Sequence, residues 1–292
     1  MNFEQMIPDI EKLGINLYSM AFYRDGQIWE HRFQPCNNCS NCYSVAKAFT
    51  MTGIGLLQDD GLLDVKKPLS FYMGSLIPKD ADPTWQIATV ENALTHKLGF
   101  DKGFLDIDVE DVHAYPTDDY LDMVFHHPIR HLPGQHFQYS DAAFYLLSRL
   151  IACVSGEKAD TFLNKRLFQP LGFQEAAWSH CPKDHPMGAT GLYISAGDMV
   201  KLAALYMQDG VWQGKRLLSK DWVQRAISNA YELHIKSSTG LIGKGGMYGQ
   251  MLMFNRERQF AVAWQGHNRD SKRVQELIDF IDKVTAPQAY FI

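Results

Sequence analysis

The segment from Val45 to Leu57 most restricts what this chain can become. It reads Val-Ala-Lys-Ala-Phe-Thr-Met-Thr-Gly-Ile-Gly-Leu-Leu, with Lys47 as its one charge and small or apolar side chains at nearly every other position. A helix that is apolar all round has no face to offer water, so other elements must enclose it. A polar, cysteine-dotted loop precedes it, and Asp59-Asp60-Gly61 follows, where the glycine supplies a C-terminal stop. Ser44 stands at the mouth of this helix, one turn from Lys47 and on the same face. A serine hydroxyl is a weak nucleophile at neutral pH. Beside a desolvated lysine, with its own N–H at a helix N-terminus, it has a proton acceptor and a site for developing negative charge. Ser-x-x-Lys is common on helix surfaces; the apolar setting singles this one out.

At 292 residues the chain can bury a core without disulfides or metal. Its formal net charge of −5 and pI near 6.1 give no basic field for nucleic acid or an anionic membrane surface. No apolar run reaches the length of a membrane span, and Met1 to Gln5 lack a basic leader, so a cytoplasmic location is expected. Five cysteines, an odd number, fit a reducing compartment. Cys36, Cys39 and Cys42 form C-x-x-C-x-x-C just before Ser44. The spacing is compatible with a structural metal, although the fourth ligand would have to come from Cys153, Cys181 or a histidine; free thiols in a loop are the simpler reading. His126, His127, His131 and His136 show no metal-binding period on a helix and read as loop surface.

Residues 15–33 alternate around Arg24-Asp25-Gly26 as a hairpin does. Residues 88–98, 117–125, 142–154 and 192–208 have helical spacing, with Asp141 as a candidate N-cap of the third. Residues 247–254 and 260–265 read as strands joined by Asn255-Arg256-Glu257-Arg258, and 271–284 as a closing helix. Strands thus come from the two ends of the chain and helices from its middle. The expected fold is α+β, an α/β sandwich with an antiparallel sheet of N- and C-terminal strands flanked by helices. No internal repeat or linker appears, so 1–292 reads as a single domain, with an α/β part at about 1–65 and 190–292 and a helical part at about 66–189.

Several stretches, in order, resemble the serine β-lactamase and penicillin-binding-protein superfamily, in its class C-related branch of hydrolases and esterases. They are Ser44-Val45-Ala46-Lys47, then Leu94-Thr95-His96-Lys97-Leu98-Gly99, Pro133-Gly134-Gln135, Tyr139-Ser140-Asp141, Pro170-Leu171-Gly172-Phe173 and Gly191 to Met199. The matches run from about residue 40 to 265. One departs from the pattern: Asp141 stands where the family usually has asparagine. The family's third motif is assigned to Lys244-Gly245-Gly246, ahead of Met247-Tyr248-Gly249. Gly266-His267-Asn268 reads as a strand-end turn.

The resemblance implies a serine hydrolase acting through an acyl-enzyme on a small ester, amide or peptide, without a cofactor and without nucleic-acid or membrane partners. Ser44 would be the nucleophile, Lys47 its base or proton relay, and Tyr139 the second acid–base group. Lys244, Gly245 and Gly246 would line the site, and the N–H groups of Ser44 and Met247 would form the oxyanion hole. Asp141 has two open readings: an acceptor for Lys47 that lacks the donor an asparagine would offer a substrate carbonyl, or a helix cap. Tyr43 either lines the pocket or packs. A chain of this length implies trimmed loops and an open site. The alternatives are a non-catalytic penicillin-binding-like protein and a metal scaffold on Cys36, Cys39 and Cys42.

Overall fold

A computed structural model of the chain describes residues 3–286. Its centre is a six-stranded antiparallel sheet in the order Gln27–Arg32, Leu17–Arg24, Phe260–Gly266, Met251–Asn255, Leu241–Gly245, Ile235–Lys236. The first two strands form the expected hairpin, turning at Asp25 and Gly26, whose φ values of +50° and +80° suit a tight two-residue turn. The two ends of the chain meet where Leu17–Arg24 pairs with Phe260–Gly266. The fold is therefore the expected mixture of helices and an antiparallel sheet built from terminal strands.

Alternation along these strands sorts their side chains into two cores. Met20, Phe22, Met251, Met253, Phe260, Val262 and Trp264 face the terminal helices Ile7–Lys12 and Ser271–Thr285. Ala21, Ala261, Ala263, Leu252 and Phe254 face the opposite way, into the larger core around the helix Ala196–Met207. Small residues on that face let this helix lie close to the strands. Each fully buried large apolar side chain contributes about 1.5–3 kcal/mol relative to exposure.

The helix Ala46–Asp59 runs through the larger core with every residue from Ala46 to Leu57 buried. It packs on Asp141–Ser155, another largely buried helix. Its glycines allow the close approach. A Cβ on Gly53 would lie 2.7 Å from the Ile151 side chain, and one on Gly55 would lie 2.3 Å from the Trp222 ring. A second, three-stranded sheet ties Ser40–Asn41 to Leu192–Ile194 and Ala176–Trp178, and so fixes the loop that leads into Ser44.

Several elements differ from the sequence expectation. Residues 88–98 form only the short helix Val90–Leu94, held by a reciprocal cap between Thr89 and Asn92; the chain then leaves through His96 at φ +55° and Gly99 at φ +97°. The run 192–208 is a strand, Leu192–Ile194, followed by a helix, Ala196–Met207, that Ser195 caps by accepting from the Asp198 N–H. Residues 247–254 are strand only from Met251; before it Gly246 N–H donates to Gln250 O at 2.8 Å and closes a turn. The strand Leu241–Gly245, rich in glycine, carries little alternation to announce it.

Replacing Gly55 with alanine sets helix propensity, worth about 1 kcal/mol in favour, against overpacking, which costs about 1–3 kcal/mol. With a rigid indole as the obstacle the second effect prevails. The Gly55→Ala protein is expected to unfold at lower urea concentration than wild type, and an equal or higher midpoint would contradict this packing.

Candidate active site

Ser44 lies on a single 3-10 turn, Tyr43–Val45, that feeds the buried helix. The entry is a tight one: Tyr43 has φ +48°, its N–H donates to Asn41 Oδ1 at 2.9 Å, and Cys42 N–H donates to Leu192 O at 2.9 Å. A non-glycine residue in the left-handed region persists only where its surroundings hold it, and here the small sheet and the Asn41 side chain do so. The Tyr43 ring meets the edge of Tyr248 at 5.0 Å between centroids, and Tyr248 stacks on His267 at 4.1 Å.

Lys47 is fully buried, and its ammonium donates to three oxygens: Ser44 Oγ at 3.0 Å, Ala189 O at 3.0 Å and Asp141 Oδ1 at 2.7 Å. An ammonium has three donors, and all three are used. Burial works against its charge, but Asp141, then Tyr139 and Glu232, overcome that and hold its proton more tightly than usual. Asp141 is the first residue of its helix, after Ser140 at the N-cap position, and no side-chain cap bond forms there. The cap reading of Asp141 therefore gives way to the ion pair with Lys47.

Tyr139 brings a second group to the serine: its hydroxyl donates to Ser44 Oγ at 2.9 Å. Lys244, at the end of the strand Leu241–Gly245, donates to the Tyr139 hydroxyl at 3.4 Å. Both ammoniums also face the tyrosine ring, at 4.8 Å for Lys47 and 5.1 Å for Lys244. The register Lys244-Gly245-Gly246 thus brings its lysine to the Tyr139 hydroxyl, which itself contacts Ser44. A Cβ on Gly246 would lie 2.7 Å from Cys42 O, so this glycine lets the strand end press against the loop that leads into Ser44. Among the described residues the Met247 N–H donates to no protein acceptor.

Three partners were not legible in the sequence. Glu232, fully buried, pairs with Lys244 and binds His96 Nε2 at 2.7 Å. Asp106 and Asp108 cluster with Asp141, one carboxylate oxygen of each within 4.8 Å of the others. Asp108 accepts from Thr190 Oγ1. Burial, then the charge of Asp141, pushes Asp106 up to about 6.

The cysteines do not converge. Cys36 Sγ faces Tyr18 O at 3.7 Å, Cys39 Sγ faces Glu175 O at 3.7 Å, and Cys42 Sγ faces Tyr43 O at 3.9 Å. Ser40–Asn41 pairs as a strand between Cys39 and Cys42, which sends the neighbouring thiols to different surroundings. Among the described residues, no group of potential ligands includes any of the three, so their geometry lends the metal scaffold no support. No helix of the described residues is long and apolar enough to cross a membrane.

The sequence profile described as Beta-lactamase matches residues 8–285. Relatives include PbpX of Bacillus subtilis (strain 168), 28% identical over 157 residues, which are 54% of this chain and 37% of that protein. Penicillin-binding protein 4 of Amycolatopsis lactamdurans is 27% identical over 60% of this chain and 53% of its own length, so the chain spans about half or less of these two relatives. A solved structure from Bacillus anthracis, provisionally named a 6-aminohexanoate-dimer hydrolase, superposes with a TM-score of 0.78 at 16% identity, covering 98% of this chain and 81% of that one. The chain belongs to the Beta-lactamase family, and its fold is the β-lactamase/transpeptidase fold.

The raised Asp106 carboxyl has a consequence for stability. A carboxyl held above its ordinary value stabilises the fold most below that ordinary value, and the contribution fades as pH rises through about 6. At pH 7 the ionised form is therefore a burden, about 1 kcal/mol once solvent screening of this half-buried group is allowed for. Asp106→Asn is expected to raise the urea midpoint near pH 7 and leave it nearly unchanged near pH 4; an equal effect at both would contradict the assignment.

Proposed function

We propose that the protein is a serine hydrolase that cleaves a small ester, amide or peptide through an acyl-enzyme on Ser44. One observation carries this reading: the Ser44 hydroxyl oxygen receives hydrogen bonds from Lys47 and Tyr139 together, at 3.0 and 2.9 Å, in a setting that buries the lysine completely. A structural serine has no need of two ionisable donors, and a buried lysine must be matched by partners to remain charged.

The roles follow from the charges. Asp141 keeps Lys47 an ammonium, so Lys47 orients Ser44 and supplies positive field, while Tyr139 handles the proton. The reacting form carries Tyr139 as a phenolate, its phenol proton released to solvent; in the first half-reaction the Ser44 O–H proton passes to that phenolate oxygen as Oγ attacks the carbonyl. The two ammoniums supply the field that the phenolate needs. The N–H groups of Ser44 and Met247 hold the oxyanion. The Tyr139 proton then goes to the leaving oxygen or nitrogen as its bond to the acyl carbon breaks. In the second half water loses a proton to Tyr139, attacks the acyl carbon and releases the acid, and Ser44 Oγ takes the proton back.

Asp141 shapes substrate choice in this reading. As a carboxylate engaged with Lys47 it offers an acylamino carbonyl no donor, whereas an asparagine would. Simple acyl groups are therefore favoured over acylamino ones such as a penicillin side chain.

Two predictions test these roles. A fluorophosphonate probe should label the wild-type protein, Ser44→Ala should abolish that labelling, and Tyr139→Phe should slow it by about 10²–10⁴-fold; a Ser44→Ala protein labelled like wild type sinks the nucleophile assignment. Asp141→Asn should raise the ratio of kcat/KM for an acylamino ester to that for the matching simple ester by about tenfold, the worth of one added hydrogen bond. An unchanged ratio would remove Asp141 from substrate selection.

A further inference from the structure

Behind the catalytic tyrosine the structure holds a closed circuit of buried polar groups to which the proposed chemistry gives no direct part. Glu232 lies between the helix Lys220–Ser228 and the strand Ile235–Lys236, wholly buried. One carboxylate oxygen pairs with the Lys244 ammonium and the other meets His96 Nε2 at 2.7 Å. His96 is 4% exposed, in the left-handed conformation at φ +55°, with its ring 4.4 Å from the Tyr139 ring. Its other nitrogen, Nδ1, receives the backbone N–H of Ser140 at 3.2 Å. Ser140 follows Tyr139 in the chain, and Lys244 donates to the Tyr139 hydroxyl. The circuit therefore runs from Tyr139 through Ser140, His96, Glu232 and Lys244 back to Tyr139.

The hydrogen bonds fix the protons. A ring nitrogen that accepts a backbone N–H carries no proton, so the proton of His96 is on Nε2, where it is donated to Glu232, and the imidazole is neutral. The buried charges around Tyr139 then balance: Lys47 with Asp141, and Lys244 with Glu232. Burial disfavours the Glu232 carboxylate, but Lys244 and then His96 outweigh that and bring it to about 2, so it stays ionised at any working pH. Of the other titratable groups nearby, two leave the Lys244 side of this count unchanged and two add carboxylates on the Asp141 side. Tyr231 turns its hydroxyl to Glu91, at 2.5 Å, and His234, held below its usual value by burial and by Lys244, is neutral. Asp106 and Asp108 face Asp141 and Lys47.

We propose that Glu232 and His96 are positioning residues that hold the Lys244 ammonium against Tyr139 and set the pH range over which Tyr139 exchanges a proton with Ser44. The proposal rests on the acyl-enzyme reading, and neither residue touches substrate. Packing alone does not account for them. Apolar side chains of similar volume would fill this space at equal or lower free energy than a buried ion pair and its histidine. What they add is one negative charge behind Lys244 and a rigid ring behind Tyr139.

Glu232→Gln keeps the shape and removes the charge, leaving the Lys244 ammonium without a carboxylate partner. The surplus positive charge makes a phenolate easier to form and a protonated Lys244 harder to keep. Both midpoints of the bell-shaped kcat/KM profile are therefore expected to move to lower pH, by about 1–2 units for a unit charge at this range. Glu232→Asp keeps the charge, and its midpoints are expected to stay at the wild-type positions even where the amplitude falls. A merely structural role would lower amplitudes in both variants and move neither midpoint, and that result overturns the proposal.

Nitrogen NMR on the wild-type protein supplies a check that needs no folded variant. His96 should show an unprotonated Nδ1 and a protonated Nε2, and a doubly protonated ring or the opposite tautomer overturns the charge count. The underlying reading fails separately: it falls if wild-type Ser44 forms no adduct. An adduct with unmoved midpoints in Glu232→Gln defeats only the positioning role.

Discussion

The structure depends on keeping one lysine charged where no water reaches it. Lys47 is fully buried and its three donors are divided among Ser44, Ala189 and Asp141. An ammonium without such partners in this setting would lose its proton or unfold its surroundings. Each partner comes from a different part of the chain, so holding Lys47 means holding the turn at Ser44, the segment at Ala189 and the start of the helix Asp141–Ser155 in register together. The buried helix, its glycine contacts and the small sheet that pins the loop before Ser44 all serve that register.

A second pair repeats the arrangement across Tyr139. Lys244 and Glu232 are as deeply buried as Lys47 and Asp141. The tyrosine thus lies between two ammoniums, each neutralised by its own carboxylate on the far side. Each buried ammonium thus keeps a counter-charge of its own beside the tyrosine. Asp141 makes the first pair a full ion pair, and in the proposed mechanism this leaves proton transfer to the tyrosine.

What could be read from the sequence divides along the distance between partners. Ser44 and Lys47 are one turn apart, and Tyr139 and Lys244 lie within motifs whose neighbours resemble a known family, so their meeting was expected. Glu232 and His96 are far apart in the chain and touch only through the fold; His96 lay within a recognised framework stretch, but nothing local gave it a partner. Asp106 and Asp108 were hidden in an irregular loop for the same reason. The sheet was visible where alternation is clean, at 17–32 and 260–266. It was not visible at Leu241–Gly245, where glycines carry no pattern. In 192–208 a short strand and a helix abut, and a continuous apolar run cannot separate them until Ser195 is seen to cap. The cysteine spacing suggested a metal because spacing alone does not report that Ser40–Asn41 is a strand that parts the thiols.

The central claim is that Ser44 carries the substrate's acyl group. Rapid acid quenching during turnover of a p-nitrophenyl ester, followed by peptide mass mapping, tests it most directly. The account predicts that the Ser44 peptide gains the mass of the acyl group in step with the first release of p-nitrophenol, and that the adduct decays as ester is exhausted. Steady turnover with no adduct on that peptide, or an adduct on another residue that forms and decays at the turnover rate, would contradict it.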